Sequence, residues 1–190
     1  MTREDALEIL NKFLKDQRLI THCLATEATM RGLARYFGED QEKWSIVGLL
    51  HDADYELSKN HPEKHGLLLF KKGKKIPEIT QNIPDDIKYA IKSHNFEYTH
   101  IMPKNKMDWS ITSCDELTAI IITIALESSS KKLEDLTNDF ILSKLRQTDF
   151  KKDVNKDKIY MCEEKLGIPL IELITIALNS MKEIHENLGL

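Results

Sequence analysis

The sequence predicts an all-α protein, and three observations support this. Apolar residues recur at helical spacing along most of the 190 residues, and no extended segment alternates apolar with polar residues. Only 7 Gly and 5 Pro punctuate the chain. This length is enough for one domain with a single substantial core. We therefore expect a single-domain helical bundle over residues 1–190.

Capping signals divide the first part of the chain into two helices. Thr2, followed three residues later by Asp5, begins a helix that we expect over residues 2–15. A second helix is predicted from about residue 17 or 19 to residue 36, and Gly38 is placed to end it.

Three further helices are predicted in the middle of the chain, followed by a long apolar one. Asp40 can cap a helix whose apolar face reaches His51. Pro62 and Pro84 each suit a first helical position, so we expect a helix to begin at each. After a polar loop, the apolar helix is predicted over residues 108–126.

The last third of the chain is more polar at its start. Residues 127–140 break the apolar pattern, and a helix is predicted to resume within residues 133–145. The charged run KKDVNKDK, residues 151–158, is read as a turn or a helix start and is too short to be a domain boundary. A final amphipathic helix is predicted over residues 169–185.

Composition argues against several classes of protein. A formal net charge of −4 is unfavourable for nucleic-acid binding as the main task. The charged start has no secretory signal pattern, and the longest apolar run, residues 119–126, is far shorter than the roughly 20 residues of a membrane helix. The three widely spaced cysteines indicate reduced thiols. We expect a cytoplasmic protein that acts away from membranes, and its oligomeric state stays open.

Polar residues interrupt the apolar faces of successive helices. They are His22, the adjacent pair His51 and Asp52, His65, His94 and Asp115. An isolated histidine on an apolar face is usually hydrogen-bonded within the core, and Asp115 could pair with Arg18 or Arg35 instead of a metal. Taken together, however, four histidines and two aspartates on neighbouring helices suit a metal cage inside a helical bundle. Divalent first-row metals accept both imidazole nitrogen and carboxylate oxygen.

The order of these residues resembles a known family. The pattern His22, His51-Asp52, His65, His94, Asp115, with the apolar GLL before the doublet, is similar to the HD superfamily of metal-dependent phosphohydrolases. The two histidines between the doublet and Asp115 resemble the subgroup with an extended, two-metal pattern. The resemblance implies an HD-type core over residues 18–126 and a helical extension, residues 127–190, packed on it.

The resemblance also implies a role for each residue. His22, His51, Asp52 and Asp115 match the ligands of a first metal, and His65 and His94 match those of a second, with Asp52 as the bridging catalytic carboxylate. His65 fits the extended pattern better than His61, which is read as a cap or a substrate-facing residue. Two divalent ions are expected, and Mn, Fe, Co, Ni, Mg and Zn are not distinguished by these ligands.

Charged residues near the ligands are candidates for substrate contact. Lys64 and Lys92 could hold a phosphate, and Asp54 and Glu56 could transfer a proton to the leaving group. Solvated helix faces explain these four equally well. The basic run FKKGKK, residues 70–75, could attract an anion, although such runs are usually solvated.

The implied activity is hydrolysis of a small phosphorylated substrate by a metal-activated water. The substrate would be a phosphomonoester, a nucleotide or a dinucleoside polyphosphate. Two alternatives stay open: an HD-fold diiron oxygenase, and a helical module that binds metal without catalysis. His100 and His185 are expected to have no ligand role.

Overall fold

The computed structural model describes residues 1–71, 78–147, 149–151 and 154–190. All regular structure in these residues is helical and contains no strand, so the all-α prediction is confirmed. The α-helices in chain order are α1 (Arg3–Phe13), α2 (Gln17–Phe37), α3 (Gln41–Leu50), α4 (Tyr55–Ser58), α5 (Asp85–Ser93), α6 (Phe96–Thr99), α7 (Lys106–Glu127), α8 (Asn138–Leu145), α9 (Lys156–Met161), α10 (Leu170–Lys182) and α11 (His185–Leu188).

The predicted caps form in the structure. Thr2 and Asp5 make a reciprocal capping box at the start of α1. Gly38 ends α2 with a φ of 71°, a left-handed conformation that glycine adopts without steric cost. The side chain of Asp40 accepts a hydrogen bond from the amide of Lys43 at 3.0 Å and so begins α3.

Helix α2 lies at the centre of the fold and packs against α3, α7 and α10. Gly48 allows α3 to lie directly on α2, because a Cβ atom at this position would come within 2.6 Å of the carbonyl oxygen of Thr26. This close approach brings His51, at the end of α3, beside His22 in the second turn of α2.

The prediction of a continuous helix from Pro62 is wrong. Two short 3₁₀ turns, Pro62–Lys64 and Leu68–Phe70, stand in its place. Between them Gly66 has a φ of 78°, and its backbone amide donates to the buried carboxylate of Asp54. The Asp54 carboxylate thus accepts hydrogen bonds from backbone amides that, in a continuous helix, would donate to backbone carbonyls of the same helix. Most of the basic run over residues 70–75 lies outside the described residues.

The last third of the chain packs back on the first two thirds. Helix α9 packs on α7, and α10 packs on α2. The helix predicted within residues 133–145 is split into a 3₁₀ turn, Leu133–Asp135, and α8, whose first turn is capped by the Thr137 side chain. Helix α9 continues into a π-helical turn, Cys162–Leu166.

Helix α7 is long and apolar enough to cross a membrane by length and composition alone. In the folded chain, however, 61% of its apolar stretch is buried among the other helices. Its middle carries Asp115 towards α2. We therefore describe α7 as a core helix of this bundle.

Candidate metal centre

Three helices bring together the first group of candidate ligands. His22 Nε2 on α2 lies 2.9 Å from Asp115 Oδ1 on α7. His51 Nε2, at the end of α3, lies 3.2 Å from His22 Nε2 and 3.3 Å from Asp115 Oδ1. These three side chains converge on one point, and their position follows from the close packing of α3 on α2.

A second group lies on the other side of the His51-Asp52 doublet. His65 Nε2 is 2.9 Å from Asp52 Oδ1 and 3.0 Å from His94 Nε2. His94 ends α5, and His65 lies in the extended backbone between the two 3₁₀ turns. The fold therefore gathers a second set of three ligand atoms within 4.8 Å of one another.

Asp52 joins the two groups. Its Oδ1 atom faces His65, and its Oδ2 atom lies 3.7 Å from His22 Nε2. Only 7% of Asp52 is exposed, so its carboxylate is held between imidazoles. A carboxylate in this position could contribute to a cation in either group.

Backbone carbonyls fix the outer nitrogen of two histidines. His51 Nδ1 donates to the carbonyl of Gly48 at 2.7 Å, and His94 Nδ1 donates to the carbonyl of Ile91. Because a carbonyl oxygen only accepts, each Nδ1 must carry a hydrogen. The Nε2 atom of each neutral ring therefore presents its lone pair to the centre.

The other two histidines are fixed in the same way by side chains. His65 Nδ1 donates to Asp54 Oδ1 at 2.9 Å. His22 Nδ1 lies 3.4 Å from the hydroxyl oxygen of Thr118, which itself donates to the carbonyl of Asp115 at 2.8 Å. Metal-bound histidines commonly have such outer partners, which orient the ring and select the tautomer.

When all four imidazole rings are neutral, their Nε2 lone pairs and the two carboxylates converge on the centre. None of these atoms can then donate a hydrogen bond to another. Such an arrangement repels itself unless a cation or added protons occupy it. Transition metals bind imidazole and carboxylate atoms at about 2.0–2.2 Å, so neighbouring ligand atoms around one ion lie roughly 3 Å apart. The spacings of 2.9 to 3.3 Å in the first group fit this requirement. The residues present therefore fit a divalent metal.

Charges inside the centre shift its pKa values strongly. Burial opposes protonation of His51, yet the carboxylates of Asp52 and Asp115 raise its pKa to about 9. Burial likewise opposes ionisation of these two carboxyls, but the charge of His51 keeps the pKa of each below its ordinary value. Burial and the neighbouring imidazolium charges lower the pKa of His94 to about 3. The metal-free centre attracts protons because two buried carboxylates need positive charge.

Comparison with protein families matches the HD domain to residues 19–125, more than half of the chain. The chain belongs to the HD domain family. The comparisons with curated proteins and with solved structures produced no match. The matched region contains all six candidate ligands of the HD domain and ends within α7.

Asp54 lies behind the second group of the HD domain and does not face the open cleft. Only 1% of it is exposed. Besides His65, its carboxylate accepts the amides of Gly66 at 2.9 Å and Leu68 at 2.7 Å. A carboxylate occupied on both oxygens is badly placed to give a proton to a leaving group. This placement favours a positioning role for Asp54 over the proton-transfer role considered from the sequence.

An open cleft of about 800 Å³ leads from solvent to both ligand groups. Besides ligands, its walls include charged side chains that the sequence pattern did not single out. They are Asp16, Lys59, Glu116, Lys151 and Lys158. Arg18, considered from the sequence as a partner of Asp115, also lines the cleft and pairs with Asp16 at 2.7 Å. Tyr55 and Asn95 also line the cleft, and the Tyr55 ring packs edge-on against His65 at 5.3 Å between centroids.

Lys158 and Glu116 form an ion pair among these missed residues. Lys158, on α9 and only 6% exposed, lies 3.6 Å from Glu116 Oε1 and 3.5 Å from Glu97 Oε2. Burial and the Asp115 charge raise the pKa of Glu116 to about 7. The position of Glu116 directly after Asp115 was an available signal. The sequence held no comparable signal for Lys158, because this residue belongs to a charged run outside the region matched to the HD domain.

The remaining sequence candidates lie away from the ligands or are engaged elsewhere. Glu56 lines the cleft and accepts the backbone amide of Lys15 at 2.7 Å. Lys92 lies over the Phe70 ring, 5.1 Å from its centroid, and does not line the cleft.

Four exposed or half-exposed side chains complete this set. Lys64 lies 3.8 Å from Glu63, and exposed His61 lies 3.3 Å from the same carboxylate. His100 is exposed at the end of α6, and His185 lies at the start of α11, 3.8 Å from Glu134. None of these histidines belongs to either ligand group among the described residues.

Proposed function

We propose that this HD domain protein is a metal-dependent phosphohydrolase that cleaves a phosphoester of a small substrate with water. The observation that carries the proposal is the position of Asp52 between the two ligand groups. Its Oδ1 lies 2.9 Å from His65 Nε2 and 3.6 Å from His51 Nε2, and its Oδ2 lies 3.7 Å from His22 Nε2. The family gives further support, because HD domain proteins are mostly metal-dependent phosphohydrolases. Phosphomonoesters, nucleotides and dinucleoside polyphosphates are the candidate substrates.

We assign one divalent ion to each ligand group. The first would be held by His22, His51, Asp52 and Asp115, and the second by Asp52, His65 and His94. Bound divalent ions lower the pKa of a coordinated water and neutralise phosphate oxygens. Imidazole and carboxylate ligands suit Mn, Fe, Co, Ni, Zn and, less well, Mg.

The chain's own residues orient these ligands and shape the cleft. Asp54, Thr118 and the carbonyls of Gly48 and Ile91 hold the four imidazoles in the orientation that presents Nε2. The Lys158 ammonium lines the cleft and supplies positive charge near the ligands, which attracts an anionic phosphate. No protein nucleophile is needed for this reaction class.

The proposal includes the organisation and location of the chain. We propose one domain in which the helical extension, residues 127–190, forms part of the active-site wall, since Val154 and Lys158 line the cleft. We also propose a cytoplasmic protein without nucleic-acid or membrane partners. Free, buried Cys23, Cys114 and Cys162 support a reducing compartment, and the net charge of −4 is unfavourable for nucleic-acid binding.

A phosphoester panel with added divalent ions tests the proposed activity. The expected result is turnover of at least one ester, reduced at least about 100-fold in Asp52→Asn, which removes a charge from both groups. His185→Ala is the matched control because His185 lies outside both groups. Folded, metal-loaded protein without turnover across the panel would overturn the proposal. Oxygen consumption by the iron-loaded protein, with no ester cleaved, would favour the oxygenase alternative.

A further inference from the structure

Four apolar side chains line the cleft besides the ligands. Ala119 and Ile122 follow Asp115 by four and seven residues on α7, so the three side chains share one helix face. Leu19 precedes His22 by one turn on α2, and Val154 approaches from the extension. These four apolar residues, Leu19, Ala119, Ile122 and Val154, all line the same cleft, and we call them the apolar wall.

The apolar wall is only partly covered by the protein. Each of its four side chains is intermediate in exposure, and each lines the cleft beside one of the most polar centres in the fold. Binding sites for small molecules commonly combine an apolar surface with a few convergent polar groups. A surface of this kind is suited to hold an apolar part of a ligand whose anionic part lies at the metal centre.

The dimensions and charges set the orientation of such a ligand. Seven residues of helix separate Asp115 from Ile122, which corresponds to about 10 Å along the α7 axis. Lys158 lies 3.6 Å from Glu116, the residue after Asp115, so one positive charge stands at the ligand end of this helix face. Ala119 and Ile122 extend away from it along α7 over the length of a ring-sized group, and Arg18 and Lys151 also line the cleft.

We infer that the apolar wall binds a ring-sized apolar group of the substrate's alcohol, so that aryl-type phosphoesters are preferred over small polar ones. This inference rests on the proposed function for the position of the phosphate. It names a substrate class within the broad set of phosphoesters, and it assigns specificity to residues that touch no metal.

Two ligands with the same anionic group test the inference by binding alone. Phenylphosphonate and methylphosphonate carry no cleavable ester bond, and their affinities for the Mn-loaded protein can be measured by calorimetry. Because one face of a phenyl ring lying against the wall would leave water, phenylphosphonate is expected to bind about tenfold more tightly. Ile122→Asn should reduce this preference to less than about threefold and leave the methylphosphonate affinity within about twofold.

Two further variants keep the test decisive. Val154→Asn changes the wall from a different segment and should also reduce the preference, which matters if Ile122→Asn folds poorly. Leu126→Asn is the matched control, because Leu126 is 50% exposed on the same helix and is not part of the cleft lining. It should retain the full preference for phenylphosphonate.

The outcomes separate this inference from the proposed function. Equal affinities in the wild-type protein, equal losses of both ligands in Ile122→Asn, or no binding of either ligand at millimolar concentration would overturn the inference. A phenyl preference without hydrolysis of any phosphoester would overturn the proposed function and support the inference. Hydrolysis of a phosphoester together with equal affinities for the two phosphonates would support the proposed function and overturn the inference.

Discussion

Asp54 and His65 share a 2.9 Å hydrogen bond between Oδ1 and Nδ1, and this bond links the backbone of one segment to the candidate metal centre. The same carboxylate accepts the amides of Gly66, Leu68 and Leu69. One buried side chain therefore sets the path of residues 65–69 and also the direction in which His65 points. Its removal should affect stability and metal binding together.

Asp54→Asn should destabilise the protein by about 2–3 kcal/mol, because an amide nitrogen would face backbone donors that now bind a carboxylate. Affinity for the metal held by His65 should fall about 10- to 100-fold, as is typical when an outer partner of a metal-bound histidine is lost. Urea denaturation and metal titration measure the two effects. Asp85→Asn, at a fully exposed side chain, should change neither. Unchanged metal affinity in Asp54→Asn would contradict the positioning role.

Gly48→Ala should separate α3 from α2, because the added Cβ would lie 2.6 Å from the carbonyl oxygen of Thr26. We expect a loss of about 2–3 kcal/mol in stability and a weaker first metal site, since His51 would move away from His22. Gly167→Ala provides the control. Its Cβ meets nothing within 4 Å, but its φ of 70° makes the change cost about 1 kcal/mol. Only the Gly48 variant should alter metal affinity in a titration.

Metal binding should strengthen as pH rises. Without metal, neighbouring carboxylates raise the pKa of His51 to about 9, and burial opposes this without cancelling it. Hydrogen bonds to Asp52 and Asp54 similarly outweigh burial and raise the pKa of His65 to about 10. A metal must displace these protons, so affinity should increase up to about tenfold per pH unit for each proton released and level off above pH 9–10.

Calorimetric Mn²⁺ titrations at pH 6.5, 7.5 and 8.5, in buffers of different ionisation enthalpy, count the released protons. The control is His61→Ala, at an exposed histidine outside both groups, which should show the same slope. Affinity that does not change with pH would mean that the metal does not displace protons from these imidazoles.

Lys158→Met should weaken anion binding with little change in metal content. Lys158 lines the cleft, and its removal takes a positive charge from beside Glu116 and Glu97. The Kd for inorganic phosphate should rise about tenfold in the Mn-loaded protein, because a charge-assisted contact is lost. Lys156→Met, on the same helix but outside the cleft lining, is the matched control. Equal effects of the two variants would indicate a general charge effect.

Most of the fold was predictable because its signals are local. The capping box of Thr2 and Asp5 and the left-handed Gly38 depend on neighbouring residues. The six candidate ligands were visible because each is a polar residue within an apolar pattern, and the structure brings them into two groups joined by Asp52.

Features that depend on distant partners were not predictable. The break at Gly66 follows from the Asp54 carboxylate twelve residues earlier, although the sequence around Pro62 favours a helix. Lys158 reaches Glu116 across 42 residues, so only the packing of α9 on α7 reveals it. The role of Gly48 likewise depends on the carbonyl of Thr26 on another helix.

Metal content measured together with hydrolysis tests the central claim that Asp52 joins two metal sites. After reconstitution and removal of free ions, the wild-type protein should hold two ions per chain and hydrolyse a phosphoester. His94→Ala should retain one ion, because it disrupts only the second group. Asp52→Ala should bind both ions weakly and lose turnover, since its carboxylate faces both groups. Two ions retained in folded Asp52→Ala, with hydrolysis intact, would contradict the claim.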